Sequence, residues 1–284
     1  MTTTSDNSSI QPLSLGMRAL GIIGIVLVFI AGVQLFVLAD YTDRYFAWTI
    51  QPPLTAAFIG AFYWGTFGII YFGGRGGAWA RVRPGMPAVV VFSTLVLIAT
   101  LLHLDRFHLG SPDPFILIVT WVWIVVYIVV PPALVVLWIL QLRVPGRDPA
   151  PIAALPGWYR GIVGVVSVVA LVIGVGLFIV PQATAQFWPW MLTPLTAQVV
   201  SSWLLLLALL LGFAIRENDW DLFRPTAITC TVLGVLQIVA LGRYLGEVEW
   251  RGISTWIYLL FVLVVLAIGL YGWWEAGRSK RPHA

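Results

Sequence analysis

Charged side chains are scarce in this chain. Only 10% of its 284 residues are Asp, Glu, Lys or Arg, and 60% are hydrophobic, whereas a soluble globular chain has about 25% charged residues. A soluble protein of this length would need more charged residues to cover its core. The composition therefore excludes an ordinary soluble protein and indicates that lipid surrounds most of the chain.

Cysteine and histidine are also nearly absent. Cys230 is the only cysteine, which excludes an intrachain disulfide and a cysteine metal cluster. None of the three histidines, His103, His108 and His283, lies near the middle of an apolar run. A haem held by two histidines inside the bundle is therefore not expected, and the cofactor, if any, stays unknown. The arginines are scattered, so no nucleic acid partner is expected.

Long apolar runs dominate what is present. A membrane-spanning helix needs about 20 mostly apolar residues, and eight stretches qualify. The fold class is therefore all-α and transmembrane, with about eight spanning helices. We place them near residues 17–39, 54–73, 85–104, 114–141, 160–181, 196–215, 225–244 and 254–274.

The basic residues predict the orientation, because cytoplasmic loops are enriched in Lys and Arg. Twelve of the 16 lie at the N-terminal end, after the second, fourth and sixth runs, or in the C-terminal tail. Both termini are therefore predicted to be cytoplasmic. Arginine outnumbers lysine 15 to 1, which favours a bacterial plasma membrane. The twelve are Arg18, Arg75, Arg81, Arg83, Arg143, Arg147, Arg160, Arg216, Arg224, Arg278, Lys280 and Arg281.

The two halves of the chain match each other. At an offset of 141 residues, Pro-Leu-Thr-Ala at 53–56 matches 194–197 and Arg-Pro at 83–84 matches 224–225. A four-helix unit returns the chain to its starting side, so two tandem copies would be parallel repeats. This predicts a polar tail at 1–16, a first repeat at 17–141, a cytoplasmic linker at 142–159, a second repeat at 160–274 and a basic tail at 275–284.

The predicted outer face carries most of the candidate site residues. In each half an aromatic segment ends in a proline that starts a helix, at Pro53 and at Pro194. The positive ends of two such helices would flank an outer cleft able to take an anionic or polar group. An interfacial aromatic belt explains the same residues. The ligand-binding candidates here are Asp40, Asp43, Gln51, Pro53, Thr55, Pro194, Thr196, Arg243 and Glu247.

A second candidate segment follows the third run. His103, Asp105, Arg106 and His108 lie within six residues. Imidazole and carboxylate groups ligate zinc and other divalent ions or share protons, so His103, Asp105 and His108 are weak metal candidates. A salt-bridged surface loop accounts for the same residues.

Trp-Pro-Trp at 188–190, leading into Pro-Leu-Thr-Ala, and Leu-His-Leu-Asp-Arg-Phe-His at 102–108 resemble segments of uncharacterised bacterial multi-span integral membrane proteins. The resemblance covers most of the chain and implies no activity.

Three functions remain open from the sequence. The first is transport or binding of a small polar or lipidic ligand at the outer face, between the repeats. The second is a non-catalytic subunit or assembly scaffold, with a membrane-protein partner or further copies of the chain. The third is a membrane enzyme or metal protein that uses His103 to His108. An enzyme is the less favoured class, and membrane lipids are expected partners in every case.

Overall fold

The structure is a computed structural model that describes residues 9–73 and 77–279. Arg75, Lys280 and Arg281, together with most of the polar N-terminal tail, lie outside these residues. Within the described chain every long element is helical and no β-strand occurs. Eight helices are long and apolar enough to cross a membrane. They are α1 (Leu15–Val37), α2 (Pro53–Tyr71), α3 (Trp79–Leu102), α4 (Pro114–Gln141), α5 (Gly157–Ile179), α6 (Pro194–Glu217), α7 (Trp220–Arg243) and α8 (Ile253–Arg278).

For the described residues, the prediction of an all-helical fold with eight helices that could span a membrane is confirmed. Two helices begin five or six residues earlier than the apolar pattern indicates, α3 at Trp79 and α7 at Trp220. In α7 the side chain of Asp219 accepts hydrogen bonds from the N–H groups of Asp221 and Leu222. This satisfies N–H donors that are unpaired at a helix start. The first turn of α7 is polar, so it does not belong to the apolar run that marks this helix in the sequence.

Each helix packs against two neighbours in a cyclic order, which we call the ring. The order is α1, α2, α7, α8, α5, α6, α3, α4 and back to α1. The most buried helices are α2 and α6. In each of them, 78% of the most apolar 18-residue stretch is buried. Two seams have the least extensive packing of the ring, one between α1 and α4 and the other between α5 and α8.

Because the number of long helices is even, residues 9 and 279 lie at the same end of the bundle, which we call the terminal end. Ion pairs join the helices there. The guanidinium of Arg83 pairs with Glu217 at 2.6 Å and with Asp148 at 2.9 Å, and Arg81 pairs with Asp221 at 2.9 Å. These contacts connect α3 to α6 and α7. The loops at residues 38–52, 103–113, 180–193 and 244–252 form the opposite end.

Candidate functional site

Both proline-started helices exist as predicted, with Pro53 and Pro194 in the first turns of α2 and α6. A proline in the first turn gives up no helical hydrogen bond, because the first N–H groups of a helix are unpaired. The two helix starts are completed differently. In α6 the hydroxyls of Thr193 and Thr196 form a reciprocal capping box. In α2 the N–H of Leu54 donates to Oε2 of Glu247, at 2.8 Å.

The space above α2 is filled by an aromatic residue of the α5–α6 loop. The indole Nε1 of Trp190 donates to the hydroxyl of Thr55, at 2.9 Å. Trp190 also contacts the rings of Phe58 and Tyr258. The hydroxyls of Thr55 and Thr196 are thus buried and bonded within the protein. Their predicted role in ligand binding stays a prediction.

Three of the predicted outer residues come together, Asp40 from the first half of the chain and Arg243 and Glu247 from the second. Tyr244 donates to Asp40 at 2.9 Å, and a guanidinium nitrogen of Arg243 lies 3.9 Å from the same carboxylate. Arg243 also donates to the carbonyl of Phe36, at the end of α1. Partial burial, together with the negative charge of Asp40, raises the pKa of Glu247, although the hydrogen bond from Leu54 opposes the shift. Burial raises the pKa of Tyr244 to about 12.

His103 is part of a hydrogen-bonded chain between helices. The side-chain amide of Gln198 donates to the carbonyl of Phe178, at 3.1 Å. Its Oε1 therefore faces Nε2 of His103, at 3.0 Å. An amide oxygen only accepts, so Nε2 carries the hydrogen. The imidazole thus connects α3 to α6 and, through Gln198, to α5.

His108 has different partners. Its Nδ1 lies 3.2 Å from the carbonyl of Phe46, and its Nε2 lies 3.0 Å from the hydroxyl of Thr49. A carbonyl only accepts, so Nδ1 donates, and in the neutral ring Nε2 accepts from Thr49. This histidine fixes the loop between α1 and α2.

The remaining predicted residues are solvent-exposed and do not converge. Gln51 is exposed, Asp43 pairs loosely with its neighbour Arg44 at 3.7 Å, and Asp105 pairs with its neighbour Arg106 at 3.1 Å. Across residues 9–73 and 77–279, no three side chains of His, Cys, Asp and Glu are grouped to hold a metal ion. Metal binding by His103, Asp105 and His108 stays a prediction.

The seam between α5 and α8 encloses a cavity of about 510 Å³, which we call the outer cavity. Exposed apolar residues, Val172 of α5 and Ile257 of α8, lie at its border. The α5–α6 loop, with Phe187 and Trp188, borders the cavity at the end of the bundle opposite the terminal end. Residues that line it include Val172, Gly176, Trp188, Gln237, Ile257 and Tyr258.

Few polar groups line the outer cavity, and most are already bonded. Tyr258 donates to Oε1 of Gln237 at 3.0 Å, and Nε2 of Gln237 donates to the carbonyl of Phe58 at 3.1 Å. The indole Nε1 of Trp188 is buried and has no hydrogen-bond partner in the described chain. A buried donor without a partner costs about 1–3 kcal/mol, so a ligand with an acceptor would be stabilised there.

The other seam, between α1 and α4, encloses a larger cavity of about 740 Å³, which we call the seam cavity. It is lined almost entirely by apolar and aromatic side chains, among them Gly24, Phe92, Trp123 and Trp203. The sequence analysis did not predict either cavity. The available signal was a tryptophan inside an apolar run, such as Trp203, because a buried indole N–H normally finds a partner.

No protein-family model, curated protein or solved structure matches this chain. The function is therefore argued from the geometry alone.

Proposed function

We propose that the protein binds a lipidic molecule of the outer leaflet in the outer cavity, between α5 and α8. The observation that carries the proposal is an apolar cavity of about 510 Å³ at a loosely packed seam. Trp188, whose Nε1 is buried and has no partner in the described chain, is one of its lining residues. Pockets of about 300–1,000 Å³ with few polar groups are typical of small-molecule sites.

The geometry favours a lipidic ligand over a small polar one. At the predicted polar cleft, the N–H of Leu54 is bonded to Glu247 and the hydroxyl of Thr55 to Trp190. These contacts occupy the groups that would attract an anion. The walls of the outer cavity are apolar, and Val172, Ile253 and Ile257 beside it are exposed. In a bilayer such residues face acyl chains.

The position of Trp188 supports an ester-linked acyl lipid. This residue precedes the start of α6 by six positions and lies in an end loop of the bundle. The hydrocarbon core is about 30 Å thick, so the ends of the spanning helices reach the level of the lipid ester carbonyls. An ester carbonyl could accept from the indole while the acyl chain fills the cavity below.

The cavity lies within the second half of the chain and is bordered on one side by a helix of the first half. Phe58 and Phe62 of α2 line it together with residues of α5, α6, α7 and α8. We propose that the halves are parallel repeats related by an axis along the membrane normal. The order of packing supports this, because exchanging α1 to α4 with α5 to α8 leaves the ring of neighbours unchanged.

We further propose a bacterial plasma membrane with the terminal end in the cytoplasm. Arg81, Arg83, Arg143 and Arg147 lie at or beyond the helix ends on that side, as expected for cytoplasmic loops. A membrane-protein partner, further copies of the chain and an enzymatic role of His103 to His108 stay predictions. None of them is favoured by a specific contact.

Two substitutions test lipid binding in the outer cavity. Val172→Trp should fill its mouth, and Val168→Trp is the matched control, because Val168 is equally apolar and exposed on α5 but does not line the cavity. After gentle extraction, native mass spectrometry should show a phospholipid retained by the wild-type protein and by the control, and lost from Val172→Trp. Trp188→Phe should retain the lipid about fivefold less well, the effect of one hydrogen bond.

The proposal is overturned if the wild-type protein retains no phospholipid, or if both tryptophan variants retain the same amount. A monodisperse elution profile checks that each variant is folded. Should Val172→Trp fail to fold, the smaller change Gly176→Val tests the same cavity wall.

A further inference from the structure

The segments that flank α1 are attached to α4 at both ends of the seam cavity. At the terminal end, the N–H of Ser14 donates to the side chain of Gln141 at 2.8 Å, and Gln141 donates to the carbonyl of Pro12 at 2.9 Å. At the opposite end, the ring of Tyr45 packs edge-on against Phe115 of α4, with centroids 6.0 Å apart. Between these attachments lies the cavity of about 740 Å³.

A tyrosine pair lies in the wall of this cavity. The hydroxyls of Tyr63 and Tyr127 are 2.7 Å apart, and both residues are more than nine-tenths buried. Two hydroxyls carry two hydrogens, and their mutual hydrogen bond uses one. Neither hydroxyl has another hydrogen-bond partner in the described chain. The pair therefore retains one donor for a ligand.

Trp203 supplies a second donor in the same wall. Its side chain is 1% exposed, and its Nε1 has no hydrogen-bond partner in the described chain. The ring of Trp203 lies 4.7 Å from that of Tyr63, edge to face. The other hydroxyls nearby are already used, because Thr66 and Ser93 donate to carbonyls of their own helices. This wall thus contains two donors without an acceptor among the described residues, the free hydroxyl hydrogen of the tyrosine pair and the buried Nε1 of Trp203.

These donors lie in the middle of the membrane. Tyr63 and Trp203 are about ten residues from the starts of α2 and α6, which is about 15 Å along the helix axis. The hydrocarbon core is about 30 Å thick. Phospholipid carbonyls lie at its boundary and do not reach this depth without burying a charged headgroup. The matching ligand therefore has its acceptors in an uncharged, membrane-soluble group.

We propose that the seam cavity binds a quinone-type lipid, a ring with two carbonyl oxygens and a hydrocarbon tail. One carbonyl oxygen, which has two lone pairs, accepts from both unused donors, the free hydroxyl hydrogen of the tyrosine pair and the Nε1 of Trp203. The aromatic side chains of Phe92 and Trp123 in the wall provide faces for a flat ring. The tail leaves through the opening between α1 and α4, where Ile22 and Ile118 are exposed. This site is separate from the outer cavity and does not depend on lipid binding there.

The test is titration of the purified full chain with a decyl-substituted benzoquinone, followed by native mass spectrometry. Trp203→Phe should weaken binding about fivefold. Tyr63→Phe and Tyr127→Phe should each leave it within about twofold, because the remaining hydroxyl keeps one free hydrogen. The double variant Tyr63→Phe with Tyr127→Phe should lose about fivefold. A merely structural role of the pair does not predict this non-additive pattern.

Filling the cavity tests the location. The Cβ of a side chain at Gly24 would lie 3.7 Å from Ile70, in ordinary van der Waals contact, and Gly24 lines the cavity, so Gly24→Leu should reduce quinone binding more than tenfold. The matched control is Gly161→Leu, because a side chain at Gly161 meets nothing within 4 Å. Val172→Trp should leave quinone binding unchanged, and Gly24→Leu should leave phospholipid retention in the outer cavity unchanged. The two proposals therefore fail independently.

Three results would overturn the proposal: no quinone adduct on the wild-type protein, full binding by Gly24→Leu, or equal binding of decylbenzene, which has the tail and a ring without carbonyls. If Gly24→Leu does not fold, Gly21→Leu fills the same wall, and the isosteric tyrosine variants preserve the volume of the site.

Discussion

The backbone N–H of Leu54 donates to Oε2 of Glu247 at 2.8 Å, although 193 residues separate the two. The carboxylate thereby lies at the positive end of α2, where a negative charge is stabilising. Glu247 therefore occupies the start of α2, one of the two helix starts that the sequence predicted as a site for an anionic group. The α7–α8 loop is attached to the first half by this contact.

Glu247→Ala should lower the free energy of unfolding by about 1–2 kcal/mol, because it leaves the Leu54 amide without its acceptor. The matched control is Glu249→Ala, which removes an exposed carboxylate from the same loop and should change stability by less than about 0.5 kcal/mol. Thermal unfolding in detergent measures both. Equal losses in the two variants would contradict the assigned role.

The same carboxyl group predicts a dependence of stability on pH. Partial burial raises the pKa of Glu247 above its usual value, which is about 4.3 in the unfolded chain. Its contribution to stability is therefore fully present below that pH and is lost as the pH rises through the folded-state pKa. Glu247→Gln keeps an oxygen acceptor but does not titrate. Relative to this variant, the wild-type protein should lose stability as the pH rises above about 4.3, and a gain in stability would contradict the sign.

Thr55→Val should destabilise the protein by about 1–3 kcal/mol, because the buried indole of Trp190 loses its acceptor while the volume is unchanged. Thr94→Val is the control, since the hydroxyl of Thr94 donates only to the carbonyl of Val90 in its own helix. Thermal unfolding compares the two. Unchanged stability together with altered ligand binding would instead favour the polar outer cleft that the sequence indicated.

The pair formed by Arg83 and Glu217 should couple α3 to α6. Its two hydrogen bonds, at 2.9 and 2.6 Å, are bidentate, but both side chains are partly exposed. A double-mutant cycle with Arg83→Gln and Glu217→Gln should give a coupling energy of about 1–2 kcal/mol. The exposed pair of Asp105 and Arg106 should give less than about 0.5 kcal/mol. Equal coupling energies for the two pairs would contradict a specific role of the Arg83–Glu217 pair in joining α3 to α6.

Gly60→Ala should cost about 2–3 kcal/mol or prevent folding, because its Cβ would lie 2.5 Å from the backbone nitrogen of Phe36. The close crossing of α1 and α2 needs a glycine at this position. Gly161→Ala is the control, because that site is open. It should be neutral or more stable by up to about 1 kcal/mol. Similar thermal stability of the two variants would contradict the close crossing.

Helix positions were largely predictable. The apolar runs identified all eight helices, and Pro53 and Pro194 marked two helix starts correctly. The early starts of α3 and α7 were missed, because polar first turns at a membrane boundary do not add to an apolar run. For α7 the signal was present, since Asp219 before Trp220 is a typical N-cap.

The candidate site was predictable only in part. The sequence selected Asp40, Arg243 and Glu247 as unusual outer residues, and the structure brings them to one cluster. It did not indicate that Leu54 and Trp190 would occupy the helix start and the space above it. Such contacts depend on which helices become neighbours, which no local pattern specifies.

The sequence by itself determined the membrane environment and the eight helices, because hydrophobicity and hydrogen bonding within a helix are local properties of the chain. Only the tertiary structure decided that α1 and α4, and likewise α5 and α8, meet loosely and leave cavities between them. It also decided that Tyr63, Tyr127 and Trp203 line one cavity. Between helices in lipid, side-chain shape and polar contacts select the partner, and both act only after distant segments have packed together.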